Sequence, residues 1–367
     1  MVRLLAADGR VVASAGVGLH VRHLALSADA SKLLASRFIS PKQSGENTAI
    51  VPISKTAGGE VLLLNPSTLA TSKTMRLRHS DKADGTAQGR GVPNYLGAAV
   101  ISPDGLSAWV PSKQDNIHRG SLRDGNNLDF QNTVRAVSSR IDLTSLAEDY
   151  AARVDHDNSS VASAAAYSTN GAYLFVALET SREVVVIDAA RKRQLARISV
   201  GRAPQGLVVS GDGNKLYVSN FMDRSVSVID LTPLNRYGQW PLPVVATLQS
   251  VGTEALSAQV LLGKQLFYDA KDTRLSRDSY MSCATCHCDG GSDGRTWDIT
   301  GLGEGLRNTV SLKGHAGAQG PLHWSANFDE VQDFEGQIRA LAQGSGLMTE
   351  AQFSAGTRSQ PLGDRKT

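Results

Sequence analysis

The chain has 367 residues, a formal net charge of +3, 35 glycines and three cysteines, with an ordinary apolar fraction. So mild a charge points to no nucleic-acid partner, no apolar run reaches the roughly 18 residues of an integral membrane segment, and three cysteines cannot form a disulfide framework. That length predicts two or three domains.

In chain order, Met1-Val-Arg-Leu-Leu-Ala-Ala-Asp8-Gly9 offers an apolar run too short for a signal peptide, with no small-x-small cleavage site after it. A repeat then dominates. Gln205–Ser210, the turn Gly211-Asp-Gly213 and Leu216-Tyr-Val-Ser-Asn220 run on into Arg224-Ser-Val-Ser-Val-Ile-Asp230, and Ser168, Gly171 and Asp188 stand 42 residues before Ser210, Gly213 and Asp230. Earlier copies pass through Ile101-Ser-Pro-Asp-Gly105 with Ser139-Arg-Ile-Asp142, and through Leu26-Ser-Ala-Asp-Ala30 with Glu60-Val-Leu-Leu-Leu-Asn65. A period near forty, with short alternating strands joined by Asp-Gly turns, predicts β-propeller blades. Over roughly residues 20–250 the repeats resemble the YVTN family of propellers. Residues 3–18 read as the outer half of one more blade. The resemblance implies about four and a half four-stranded blades, fewer than a closed ring usually needs, and so upstream blades and a signal peptide outside this sequence.

The long insertions near 37–58, 76–96, 117–134 and 150–160 fall between the second and third strands of a blade or between blades. Both kinds of connection emerge on one face of a propeller. Binding concentrates on such loops, but the plainer expectation is surface connections without a ligand. His79, His118 and His156 within them are expected as solvated side chains.

After Pro241-Leu-Pro243 and a last strand at 244–251 the pattern turns helical. Leu256–Phe267 carries apolar residues at helical spacing, with Ser257 as N-cap. The boundary therefore falls near 250, giving an incomplete all-β propeller at 1–250 and an all-α domain, incomplete at its C-terminus, at 251–367. Cys283-Ala-Thr-Cys286-His287 in the second domain is the attachment signature of a c-type haem. Two thiols three residues apart each add to one vinyl group, and the histidine supplies the proximal iron ligand. A dithiol redox pair needs no histidine there, and a zinc site would lack its second ligand pair. Cys288 reads as a bystander thiol.

Gly263-Lys-Gln-Leu-Phe267-Tyr-Asp269, Asp272-Thr-Arg-Leu-Ser276, Ser282–His287, Asp293-Gly294, Gly305-Leu-Arg-Asn308, Leu322-His-Trp324 and Asp333-Phe-Glu335 together resemble the N-terminal haem domain of the bacterial dihaem cytochrome c peroxidase and MauG family. The resemblance covers 255 to about 355. It implies a covalent haem c, a periplasmic, cell-surface or secreted location, and a redox partner protein or a second haem domain. It also places Trp324 as an electron conduit between two haems. Members carry a second Cys-x-x-Cys-His and a distal acid near the stretch matching Ser345-Gly-Leu-Met348. This chain has neither, and it stops at Pro361–Thr367, mid-domain for the family, so a second haem is expected beyond it.

Three side chains compete as sixth iron ligand. Met348, 61 residues after His287, gives a high-potential iron closed to substrate, whereas His323 or His315 gives a bis-histidine iron of lower potential. Arg295 and Arg307 are candidates to neutralise haem propionates. Asp289-Gly-Gly-Ser-Asp293-Gly offers oxygens to a calcium ion, but not at the spacing of a dodecapeptide loop, and a plain turn is the expectation. The expected function is extracytoplasmic electron transfer by one covalent haem c on a propeller that binds partners. The alternatives are a peroxidase-type or MauG-like oxidoreductase with a second haem, and a propeller binding module whose haem senses redox state.

Overall fold

The computed structural model describes residues 2–5, 10–314, 322–328 and 331–354. Antiparallel sheets fill the N-terminal part. Strands β1 (Val2–Leu5) and β2 (Val11–Ala15) form a two-stranded half-blade. Blade one is β3 (Val21–Leu26), β4 (Leu33–Arg37), β5 (Gly58–Leu64) and β6 (Thr71–Arg78). Blade two is β7 (Val92–Asn94), β8 (Val100–Ile101), β9 (Ser107–Asp115), β10 (Val134–Asp142) and β11 (Ala147–His156), with β7 and β8 both pairing β9. Blade three is β12 (Ala162–Tyr167), β13 (Tyr173–Leu178), β14 (Glu183–Asp188) and β15 (Arg193–Ser199). Blade four is β16 (Pro204–Val209), β17 (Lys215–Asn220), β18 (Ser225–Asp230) and β19 (Val244–Gln249), with the short helix α1 (Thr232–Tyr237) before its last strand. This is the expected propeller architecture.

The central strands read as continuous apolar runs because each inner blade is buried on both faces, and successive side chains point to opposite faces. In β13, Leu174, Val176 and Leu178 pack with Trp109, Ala136 and Val154 of blade two, whereas Phe175 packs with Leu216, Val218 and Ile229 of blade four. The same division separates Val185 and Ile187 from Val184 and Val186 in β14. The core is thus a set of slabs between blades, and blade one shares another with the half-blade through Ala13, Ala15, Leu33 and Leu62. At the outer edges Val11 and Val12 of β2, and Val208, Val245 and Leu248 of blade four, stay exposed.

The Asp-Gly turns have one chemistry in all four blades. Ser27, Ser102, Ser168 and Ser210 accept through Oγ the backbone N–H of Lys32, Ser107, Tyr173 and Lys215, at 2.9, 3.0, 2.9 and 2.9 Å. Three residues after each serine the backbone turns left-handed, at Ala30, Gly105, Gly171 and Gly213. Glycine takes that conformation without steric cost, which is why it recurs there.

The C-terminal part contains helices α2 (Ala258–Phe267), α3 (Cys283–His287), α4 (Glu335–Ala340) and α5 (Glu350–Ser354), plus a two-stranded ribbon, β20 (Thr296–Asp298) and β21 (Leu306–Asn308). Ser257 caps α2 by accepting the Val260 N–H. This part lies on the loop face of the propeller, and here the structure corrects the expectation of free surface connections. Every loop class on that face is engaged: Glu46 with Arg295, Tyr95 with Cys286, Leu122 with Asp298, Asp157 with Tyr280, Ser160 with Thr285, Thr180 with Ala270, and Met222 with Gln265. The histidine expectation is corrected with it. His79 and His156 are fully buried and His118 is half-buried. Burial holds His79 down to about 4 and His156 to about 3, the latter with its ring bonded to Ser138 and Gln194.

Candidate functional site

Helix α3 is too short to be stable by itself, so caps and neighbours hold it. Ser282 and Thr285 form a reciprocal capping box at its N-terminus. Ala284 and Thr285 are buried against the propeller, Ala284 among Ala203, Met222 and Tyr268, Thr285 through its hydroxyl to Ser160 Oγ at 2.9 Å. At the far end the Tyr95 hydroxyl donates to the Cys286 carbonyl at 2.7 Å and accepts the Cys288 N–H at 3.3 Å. The chain then turns through left-handed Asp289 and Gly290.

The signature side chains stand on the other side of this anchored helix. Cys283 is exposed, Cys286 and Cys288 are half-buried, and all three are free thiols. Burial pushes the Cys286 thiol well above its ordinary pKa and Cys288 up to about 12. A redox-active dithiol needs the opposite shift, so that rival fits poorly. His287 Nδ1 faces the Gly291 carbonyl at 3.2 Å, the bond that leaves the Nε2 lone pair available to a metal. Burial lowers the His287 pKa against the pull of the Gly291 and Val310 backbone, which favours the neutral, ligating ring. The donor set therefore fits a c-type haem.

The other predicted residues divide. A cavity of about 410 Å³ is lined by Arg307 and Trp324, with Asn47 of the propeller and Thr296, Leu306 and Asn308 of the ribbon. Trp324 donates to the Asn308 carbonyl at 2.8 Å, and Arg307 reaches Ser325 Oγ at 3.0 Å. Arg295 is elsewhere. It is fully buried, paired with Glu46 at 3.0 Å and bonded to the Ser40 and Pro41 carbonyls, so its guanidinium is committed to the seam with the propeller. His323 lies against Glu304 at 2.7 Å and Asn327 at 3.0 Å, between Phe328 and Phe334. Met348 is half-buried, its backbone N–H held by Glu335 and its carbonyl by Arg339. His315 lies outside the described residues. In the 289–293 turn, Asp289 pairs with Arg22 at 2.7 Å and Asp293 with Lys113 at 3.0 Å, and no cluster of three or more His, Cys, Asp or Glu placed to hold a metal ion occurs among the described residues.

Sequence reasoning missed Tyr95, Lys113, Asp115 and Glu46, which build the floor beneath the site. Lys113, Asp115, Asp293 and Arg295 are all fully buried, and Asn94 bridges the Asp115 carboxylate and the Asp293 carbonyl at 2.8 and 2.9 Å. Although burial alone pulls Lys113 down, Asp115 and Asp293 hold it charged, above its ordinary pKa. The available signal was β9 itself, whose run Ser112-Lys-Gln-Asp115 continues a strand with polar residues instead of alternating.

Residues 257–357 match the model of the family described as di-haem cytochrome c peroxidase. That agrees with the resemblance read from the sequence. No curated protein matches the chain. Among solved structures it is similar to the hydrazine synthase of Kuenenia stuttgartiensis, at 14% identity and a TM-score of 0.41, over 57% of this chain and 58% of that one. A functionally unknown protein from Desulfotomaculum acetoxidans is 12% identical, with a TM-score of 0.39, over 65% of this chain and 59% of that one. The β-propeller domain of Cps50 (Swd1) from Myceliophteria thermophila is 14% identical, with a TM-score of 0.33, over 63% of this chain and 71% of that one. The chain thus spans 58% and 59% of the length of the first two.

Proposed function

We propose that this chain carries one haem c, attached through Cys283 and Cys286 and ligated by His287, and passes single electrons between redox partners outside the cytoplasm. The observation that carries the reading is the seating of α3, with both thiols unpaired and His287 held by its Nδ1 on the Gly291 carbonyl. When bound, haem c supplies reversible one-electron chemistry tuned by its axial ligands. The chain's own residues orient and enclose it.

Met348 is the proposed sixth ligand. Glu335 accepts the N–H groups of Leu347 and Met348 at 3.0 and 3.1 Å, and Arg339 donates to the Met348 carbonyl at 2.9 Å, so the segment is fixed from both sides. His323 is held at Nδ1 by Glu304 and Asn327, an arrangement like that of His287, and its Nε2 lies 3.4 Å from the Gln337 amide nitrogen, so it stays the competing ligand. Arg307 is the proposed partner of a propionate. Trp324, 62% exposed, offers its indole to an electron partner, either another protein or a second haem domain. The propeller's loop face holds the chain's own C-terminal part, so its scaffold role begins there.

The test is access to the iron. Ferrous protein mixed with carbon monoxide should keep its spectrum, because a six-coordinate iron has no vacancy. Formation of a carbonyl adduct would overturn the electron-transfer reading. It would favour instead the peroxidase-type oxidoreductase, the reading that the match over 257–357 supports.

A further inference from the structure

The propeller meets the attachment segment with charge as well as with backbone. Lys113 of β9 carries its ammonium into a fully buried position, 2.9 Å from Asp115 and 3.0 Å from Asp293, and 4.3 Å from the centre of the Tyr95 ring. Tyr95 grips both the Cys286 carbonyl and the Cys288 N–H. Asp293 follows His287 by six residues and is fixed in place by the Arg295 N–H at 3.0 Å and the Trp297 indole at 3.2 Å. Lys113 is thus one aromatic ring away from the Cys286 carbonyl and Asp293 one short loop away from His287, so both charges lie beside the attachment segment.

Stability gives a poor reason for such a cluster. A buried ion pair is often no better than well-packed apolar residues of the same volume, because desolvation cancels the attraction. In dry surroundings, however, a fixed charge acts strongly on its neighbours. Resting on the haem reading above, we propose that Lys113 and Asp293 are positioning residues of the haem site: across the seam they set the electrostatic potential at the attached haem, so that the propeller tunes its reduction potential while Tyr95 holds α3 in place.

The experiment uses the full chain with its haem attached and measures the potential by spectroelectrochemistry. Lys113→Met removes the cation and should lower the ferrous-to-ferric ratio at fixed poise by about tenfold, or about 59 mV for one electron. Asp293→Asn keeps the shape, removes the anion and should move the ratio by a similar factor in the opposite direction. Lys113→Arg should return it toward wild type. Opposite signs are the diagnostic result, since loosened packing would move both variants the same way. Shifts of one sign, or ratios within twofold of wild type in both variants, overturn the proposal while leaving the haem reading intact. If Lys113→Met fails to fold, Asp293→Asn decides alone, and an unmoved or lowered ratio overturns it. Wild-type protein without covalent haem would overturn the haem reading, and this proposal with it.

Discussion

Arg295→Met tests whether the seam between propeller and C-terminal part is held by buried charge. Methionine keeps much of the side-chain length and removes only the guanidinium. Glu46, almost fully buried, would keep the N–H groups of Gln43 and Thr296 at 2.8 and 2.9 Å but lose its ion-pair partner, and buried Asp115, 3.8 Å from the Arg295 Nε, would lose a cation as well. Two backbone carbonyls, of Ser40 and Pro41, would lose their donor as well. Breaking a buried pair from one side costs about 3–5 kcal/mol. An exposed pair such as Lys55–Asp81, 4.0 Å apart with Lys55 71% exposed, is worth no more than about 1 kcal/mol. Denaturant unfolding of the full chain should therefore separate Arg295→Met from Lys55→Met by at least about 2 kcal/mol. The double variant Arg295→Met, Glu46→Gln should recover part of the loss, because Glu46 then no longer carries an unpaired charge, while Asp115 still lacks the Arg295 cation. An Arg295→Met protein within about 1 kcal/mol of wild type would refute the reasoning. If its haem spectrum moved instead, the guanidinium would belong with a propionate after all.

Met348→Ala should abolish the weak far-red sulfur-to-iron band of the ferric protein and open the ferrous iron to carbon monoxide. A spectrum altered by His323→Ala instead would make the haem bis-histidine. Acid should weaken the protein through its buried histidines. The folded-state pKa of His79, about 4, lies below its ordinary 6.5, so the unfolded chain binds the extra proton. Stability is full above about pH 6.5 and falls by roughly 3 kcal/mol toward pH 4, a loss that His79→Gln should flatten in a pH series of unfolding curves. The isolated segment 1–250 would lose Asp293 from Lys113 and Arg295 from Glu46. Size-exclusion chromatography should find it associating, with a lowered unfolding midpoint. A monomer as stable as the full chain would contradict the seam described here.

The propeller was legible because its blades repeat at a fixed spacing and its turns use one chemistry. Ser168, Gly171 and Asp188 and their copies 42 residues on occupy equivalent turn and strand positions. The α3 signature was legible for the same kind of reason, since the proposed covalent attachment fixes residue type and spacing. What stayed hidden depends on pairing between distant segments. Lys113 and Asp293 are 180 residues apart and meet only when the domain lands on the loop face. His79 and His156 looked solvated because loop sequence says nothing about what later covers it. Arg295 illustrates the limit: a guanidinium near a haem motif suggests a propionate, and only the three-dimensional neighbourhood shows Glu46 waiting for it.

The central claim is covalent haem on Cys283 and Cys286. The full chain, produced with a c-type maturation system, is denatured, run on a gel, stained for haem and converted to its pyridine haemochrome. The account predicts that haem stays with the denatured polypeptide, that the haemochrome is of the thioether type, and that Cys283→Ser with Cys286→Ser abolishes both while Cys288→Ser leaves them. Haem extracted by acid acetone from the wild-type protein, or retained after both serine substitutions, would contradict it.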